Sequence, residues 1–203
     1  GTWLGITRSG RFAAVTNFRD PASHREGAPS RGGLVRAFLT STATPAAYVG
    51  ALQADAARYN GFSLLVGDAA SLLYFSNRAG EARALAPGIY GLANDLLDVP
   101  WPKVRTGKAR LAAQLNGSVG AERLLELLDD TQAAPDDALP DTGVGLERER
   151  QLSPLRIRAG AYGTRASTVL LLSADGEASI VERSFSATGE ASGTVRGRFR
   201  TTP

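Results

Sequence analysis

The side chain most suggestive of chemistry in this sequence is a guanidinium at the head of an apolar run. Tyr162-Gly163-Thr164-Arg165 is a polar turn that opens into Ala166-Ser167-Thr168-Val169-Leu170-Leu171-Leu172, which reads as a buried central strand. Gly163 permits a tight or positive-φ backbone, and Arg165 brings a rigid fork of donors to the strand mouth. Such a fork grips a carboxylate, a phosphate or a neighbouring aspartate; the last would make it a structural ion pair. Asn17, Arg19 and Asp20 bunch at the end of an earlier apolar run, either as a site or as turn chemistry in which Asn17 and Asp20 bond local amides. Ser30 and Arg31 precede Gly32-Gly33, where Ser30 could cap a short helix whose free amides suit an anion. Asn94 sits in a turn after a short apolar segment, where a cap is the simplest role.

Composition removes several alternatives. With no cysteine there are no disulfides, no thiolate metal sites and no internal cysteine nucleophile. The one histidine, His24, lies in a polar loop with no nucleophile elbow near it, so a serine-histidine-aspartate triad is not expected. Net charge is only +3, with lysine at Lys103 and Lys108 alone against 21 scattered arginines, which argues against nucleic acid. No stretch approaches the roughly 18 apolar residues of a membrane span, and no signal peptide is read, so the expected location is cytoplasmic. The acidic stretch from Asp129 to Asp141 reads as a solvated loop, since calcium wants a tighter carboxylate-and-glycine loop. The sequence opens at Gly1 without methionine and in mid-strand, which reads as the interior of a longer protein.

These groups need elements to hold them. Thr2–Thr7 and Arg11–Thr16 flank Arg8-Ser9-Gly10 as a β-hairpin. Leu34–Leu39 reads as a short helix, and Thr44-Pro45 starts a longer one with Tyr48, Leu52, Ala56 and Tyr59 on one face. Phe62–Val66 and Leu72–Ser76 form a second hairpin, followed by strands near Arg83–Ala86 and at Ile89–Leu92. Pro100-Trp101-Pro102 opens a helix ending at Asn116-Gly117, and a further helix covers Ala121–Leu128. Leu155–Arg158 reads as a short strand. Val169–Ser173 and Ala178–Phe185 pair around Ala174-Asp175-Gly176, and Val195–Phe199 closes the sheet as a half-solvated edge with Arg196, Arg198 and Arg200 on one face. The expectation is one α+β domain over residues 1–203.

Eight stretches, in order and at matching intervals, resemble the transport and Golgi organisation protein 2 family, also called the NRDE family. They are Gly1-Thr2-Trp3-Leu4-Gly5, Thr16-Asn17-Phe18-Arg19-Asp20, Pro29-Ser30-Arg31-Gly32, Tyr59-Asn60-Gly61-Phe62, Tyr74-Phe75-Ser76-Asn77-Arg78, Gly88-Ile89-Tyr90-Gly91-Leu92-Ala93-Asn94, Pro100-Trp101-Pro102-Lys103-Val104 and Tyr162-Gly163-Thr164-Arg165. The family's amino-terminal cysteine and its Asn-Arg-Asp-Glu tetrapeptide have no counterpart here, and the chain is read as an amino-terminally truncated member. The resemblance implies a four-layer αββα sandwich like that of N-terminal-nucleophile hydrolases, with two antiparallel sheets and helices outside. It implies pocket groups at Asn17, Arg19, Asp20, Ser30, Arg31, Asn77, Asn94 and Arg165, with Thr164 beside the last. Two functions follow. One is a small-molecule binding or trafficking protein for a haem or acyl-lipid ligand, with Arg31 and Arg165 as the preferred anion partners. Haem enters as a transported ligand and no resident cofactor is required. The other is an amide or thioester hydrolase whose nucleophile is missing, Gly1 having no side chain to supply it, with Asn94 donating to the oxyanion and Arg165 orienting the nucleophile's surroundings. An unpaired first strand also invites self-association or pairing with the missing amino-terminal segment.

Overall fold

Local turn chemistry sets the first sheet. In the computed structural model, which describes residues 2–117 and 119–202, Gly10 takes φ +77° and its amide donates to the Thr7 carbonyl. That turn folds Leu4–Ile6 (β1) back onto Phe12–Asn17 (β2), with Leu4 opposite Ala14. Phe62–Gly67 (β3), Leu72–Ser76 (β4) and Ala82–Ala84 (β5) follow, and the five strands form one antiparallel sheet in chain order. Gly1, on which the nucleophile argument rests, lies outside the described residues.

The chain divides into two compact units, one running to Val99 and taking in Thr202, the other spanning Pro100–Thr201. In the first, Gly32–Thr40 (α1) and Pro45–Asp55 (α2) lie between β2 and β3. Pro45 occupies the first turn of α2, and Thr44 Oγ1 accepts from the Ala47 amide at 3.2 Å, the cap that the sequence announces. Val35, Phe38, Val49, Leu52, Leu64, Val66 and Phe75 pack around Phe62 in a closed core. Each such side chain contributes about 1.5–3 kcal/mol on burial. Arg11 fastens this core from outside: Nη2 donates to the Phe38 carbonyl, Ser41 Oγ and the Ala43 carbonyl, and its guanidinium lies 4.1 Å from the Phe38 ring centroid. It thereby ties the end of α1, where the Phe38 carbonyl also accepts from the Ser41 amide, to the Ala43 carbonyl just before α2.

The second unit holds Pro102–Leu115 (α3), Ala121–Leu128 (α4) and Leu146–Leu152 (α5). Arg158–Ala159 (β6) pairs with Tyr162–Gly163 (β7). Ala166–Leu172 (β8), Glu177–Phe185 (β9) and Ala191–Arg200 (β10) make a three-stranded antiparallel sheet in the order β10-β9-β8. Gly176 at φ +83° closes the β8–β9 hairpin. Leu125 of α4 packs on Val169 and Val181, and Glu122 ties α4 to Arg183 (2.9 Å) and Arg196. Arg198 pairs with Glu177 at 2.6 Å. Among the described residues, no helix is long and apolar enough to cross a membrane.

The α+β class with antiparallel sheets is observed, and four local expectations are corrected. β8 is an edge strand of its described sheet and β9 is central, because Ala178–Phe185 pairs on both sides. Ile89–Leu92 is not a strand: its neighbourhood is closed by the Asp98 amide donating to the Gly91 carbonyl (2.8 Å) and the Gly91 amide donating to Asp98 Oδ1 (2.8 Å). Leu155–Arg158 is likewise irregular up to Arg158, since Thr164 satisfies Ile157 from both sides through its amide and Oγ1. Ser30 does not cap α1 with its side chain; Arg31 stands at that position and Ser30 offers only its carbonyl, to Gly33. Helix α5 is an addition to the elements expected from the sequence.

Candidate functional site

The first unit gathers its polar side chains at the carboxyl end of β2. Asn94, carried on the irregular segment after β5, is stitched to residues 17–19 by three bonds. Its Nδ2 donates to the Asn17 carbonyl (3.1 Å), its carbonyl accepts from the Arg19 amide (2.7 Å), and its Oδ1 accepts from Arg19 Nη2 (3.4 Å). Asp98 locks the base of that segment in a left-handed backbone conformation, φ 63°, which a non-glycine residue adopts only when its surroundings impose it. Tyr74 Oη accepts from the Leu97 amide at 3.1 Å, and Ser63 Oγ donates to the Asp95 carbonyl at 3.1 Å.

Gly61 is the crossing point beneath this cluster. Its carbonyl accepts from the Phe18 amide and from Arg31 Nη1, both at 2.9 Å. A Cβ there would stand 2.8 Å from Arg78 Nε and 2.9 Å from Phe18 Cβ, so only glycine fits. Arg78 lies over the Phe18 ring at 5.6 Å and pairs with Asp20 at 2.9 Å. Asp20 also accepts from the Ser23 hydroxyl and caps the single 3-10 turn Pro21–Ser23. The Ser23 hydroxyl, helped by the Ser23 amide and the Arg78 cation, holds the Asp20 carboxyl below the usual carboxylate range. Asn77 is a staple: Oδ1 accepts from the Phe62 amide (2.9 Å) and Nδ2 donates to the carbonyls of Ala56 (3.1 Å) and Tyr59 (3.3 Å).

Two polar atoms in this region stand out against that wiring. Thr16 Oγ1 and Asn17 Oδ1 are buried and have no hydrogen-bond partner among the described residues. Buried acceptors of this kind cost about 1–3 kcal/mol each when left unmade. Arg31, just before α1, carries a guanidinium whose burial lowers its pKa.

Arg165 and Thr164 belong to the second unit, where they line a cleft of about 410 Å³ with Arg158, Tyr162 and the Ser186–Gly189 turn. Thr164 is committed to structure: its amide donates to the Ile157 carbonyl (3.0 Å) and its Oγ1 accepts from the Ile157 amide (2.9 Å). Arg158 bonds the Thr188 carbonyl and pairs with Glu190 at 2.6 Å. Arg165 is exposed, and its guanidinium has no partner among the described residues, while its carbonyl accepts from the Phe185 amide.

The structure thus brings Asn17, Arg19 and Asn94 into one bonded cluster, with Asp20 directed to Ser23 and Arg78. Ser30 and Arg31 line a separate loop cleft, Asn77 is structural, and Thr164 and Arg165 lie in the other unit. Sequence reasoning missed Arg78, Gly61 and Asp98 as organisers. The signal for Arg78 was present as a cation directly after Asn77 in a hairpin-ending turn, whereas Asp98 gives none without its backbone angle.

Together the units define an α+β protein of antiparallel sheets with an unengaged guanidinium in a cleft. The chain belongs to the Transport and Golgi organisation 2 family, whose pattern matches residues 1–187. It is 38% identical to the Transport and Golgi organization protein 2 homolog of Bos taurus and 35% identical to that of Homo sapiens. It is 28% identical to Transport and Golgi organization protein 2 of Drosophila melanogaster. In each case 91% of this chain and 72% of the relative are covered.

Proposed function

We propose that the protein is a small-molecule binding and trafficking protein of the cytoplasm, holding a haem or acyl-lipid ligand by its acidic group. Arg165 carries this reading. Most arginines of the second unit are engaged by carboxylates or carbonyls, as Arg150, Arg156, Arg158, Arg183, Arg196 and Arg198 are. Arg165 keeps all five donors for something else, in a cleft whose volume falls in the roughly 300–1,000 Å³ range of ligand sites. Arg31, in the first unit's loop cleft, is read as an anion partner in its own right. Arg19, Asp20 and Asn94 act as the scaffold that fixes the first unit's loops, since their side chains are spent on one another, on Ser23 and Arg78 and on the backbone, whereas Asn17 takes part through its carbonyl and leaves Oδ1 unpaired among the described residues.

Each unit is a helix layer on an antiparallel sheet, α1 on β2 in the first and α4 on β8 in the second. Such layers are the parts of a four-layer αββα sandwich, which supports carrying the N-terminal-nucleophile-hydrolase-like fold into this reading. The test is calorimetric titration with haemin and with palmitoyl-coenzyme A. Arg165→Ala is expected to weaken whichever ligand binds at least tenfold without lowering the melting temperature.

A second reading, an amide or thioester hydrolase whose nucleophile is not in this chain, is favoured by one observation. Asn17 Oδ1, buried and unpaired among the described residues at the end of β2, is an acceptor that a donor group of a nucleophile-bearing segment would satisfy. On this reading the chain alone shows no esterase, amidase or thioesterase turnover. Steady hydrolysis abolished by one serine or threonine substitution would count against it.

A further inference from the structure

Arg165 shares its cleft with a second guanidinium that is already occupied. The β6–β7 hairpin and Arg165 form one wall, and the Ser186–Gly189 turn between β9 and β10 forms the other. That turn is firmly held. The Ser186 amide donates to the Glu190 carbonyl at 2.8 Å, and Ser186 Oγ accepts from the Thr188 and Glu190 amides, both at 3.2 Å. Buried Arg156 secures it again, Nη1 donating to the Gly189 carbonyl at 2.8 Å while the guanidinium lies 4.8 Å from the Phe185 ring centroid.

Arg158 joins the two walls. It stands on β6, and its side chain passes over Gly189, where a Cβ would come within 2.8 Å of Arg158 Nε and φ is +79°. Glycine alone leaves that passage open. Beyond it, Nη2 donates to the Thr188 carbonyl at 3.1 Å and to Glu190 Oε1 at 2.6 Å. The route of the side chain is fixed, but the charge at its end is held lightly. The Arg158 and Glu190 side chains are 42% and 71% exposed, and an exposed pair shifts an equilibrium by only about 1.4- to 5-fold. The cleft therefore offers one cation outright and a second on condition. With Glu190 on Arg158, an anion meets Arg165 alone; with Glu190 displaced, a doubly charged group can engage both forks.

We propose that the ligand of this cleft is a phosphomonoester bound as its dianion, and that Glu190 is a built-in competitor which the phosphate displaces from Arg158. The proposal rests on the reading of Arg165 as the ligand's anion partner. A phosphate ester has three oxygens to share between two guanidinia and carries close to two charges above its second pKa of about 6. Tyr162, 53% exposed on the cleft wall with the Arg148 guanidinium 4.4 Å from its ring centroid, offers a surface to the organic part. Occupation of Arg158 by Glu190 lowers the apparent affinity by the fraction of molecules in which the second fork is free, so removing the carboxylate raises it.

Phenyl phosphate and phenyl sulfate, alike in shape but a dianion and a monoanion at pH 8, should be titrated calorimetrically into the full chain. Phenyl phosphate should bind at least fivefold more tightly. Glu190→Gln should tighten phenyl phosphate about two- to fivefold and phenyl sulfate by less, a gain that a purely structural ion pair would not give. Arg158→Ala should erase the preference for phosphate over sulfate. Inorganic phosphate should bind at least threefold more weakly than the ester, which separates an esterified head group from the free ion. The proposal is overturned if phenyl sulfate or inorganic phosphate matches phenyl phosphate, if Glu190→Gln binds phenyl phosphate no more tightly than the parent, or if Arg158→Ala keeps the preference. Arg165→Ala separates this inference from the reading beneath it, since it should weaken both esters at least tenfold. Parent-like binding by Arg165→Ala sinks both, whereas a tenfold loss there without a gain in Glu190→Gln sinks the competitor alone.

Discussion

The two units solve the problem of stability differently. The first closes an aromatic core: Phe62 meets Phe75 and Tyr59 edge-on at 5.8 and 6.0 Å, and Phe38 meets Tyr48 at 5.2 Å. Its polar side chains then finish the job as staples on backbone groups. The second has a thin core around Leu125, Val169 and Val181 and laces its exposed sheet with ion pairs such as Arg198–Glu177. Packed aromatics and satisfied buried amides are worth kilocalories, whereas exposed pairs are worth little. The second unit leaves the Arg165 guanidinium without a partner among the described residues, and the first leaves Thr16 Oγ1 and Asn17 Oδ1 buried without one.

That contrast can be broken most easily at Phe62. Phe62→Ala should cost about 3–5 kcal/mol, read from the shift of a denaturant midpoint, and more than any single change in the charged ladder of β10. Arg11→Ala comes next, at roughly 2–3 kcal/mol, because three acceptors at the end of α1 lose a charged donor together. An Arg11 variant as stable as the parent would show that the fastening is incidental. Glu122→Gln, which removes two pairs from the second unit, should change stability by less than about 1 kcal/mol and should lose its effect in salt.

Titration sharpens the same comparison. Burial raises the Tyr48 phenol to about 12, with Tyr59 adding to the effect, while Oη donates to the Leu34 carbonyl at 2.7 Å. The folded state therefore keeps a proton that the unfolded chain releases from about pH 10 upward. This contribution is whole below pH 10 and is lost as pH climbs toward 12. Tyr48→Phe should flatten that alkaline limb; an unchanged slope would place the phenol in water. The smallest effect is expected at Asp20, whose lowered pKa stabilises the fold above the usual carboxylate range and ceases to as pH falls through it. Asp20→Asn should remove a slight acid-side slope together with the Arg78 ion pair, while an asparagine can still accept from Ser23.

Much of this was readable from local signals. Thr44-Pro45 announced α2, and Asp175-Gly176 announced the β8–β9 hairpin, because cap and turn chemistry act within four residues. What failed was non-local. Ile89–Leu92 has strand-like composition, but the carboxylate and amide of Asp98 take the backbone groups of Gly91 that a ladder would use. β8 is as apolar as a central strand, and only the pairing order shows it at an edge. Leu146–Leu152 is rich in Glu and Arg, with too short an apolar stripe to declare a helix. Among the site residues, the family resemblance singled out Asn17, Asn94 and Arg165, but it could not separate a residue spent on scaffolding from one left for a ligand. Asn77 and Thr164 fall on the scaffolding side, through bonds to Phe62 and Ile157 that only coordinates reveal.

The central claim is that the Arg165 guanidinium, and not the bonded Arg19–Asn94 pair, meets the ligand. Haemin and palmitoyl-coenzyme A should be titrated calorimetrically into the parent chain, Arg165→Ala and Arg19→Ala, with melting temperatures measured alongside. The account predicts at least tenfold weaker binding for Arg165→Ala at an unchanged melting temperature. For Arg19→Ala it predicts a lower melting temperature with near-parent affinity at temperatures where the variant is folded. Parent-like affinity in Arg165→Ala, or a selective loss of affinity in a fully folded Arg19→Ala, would contradict it.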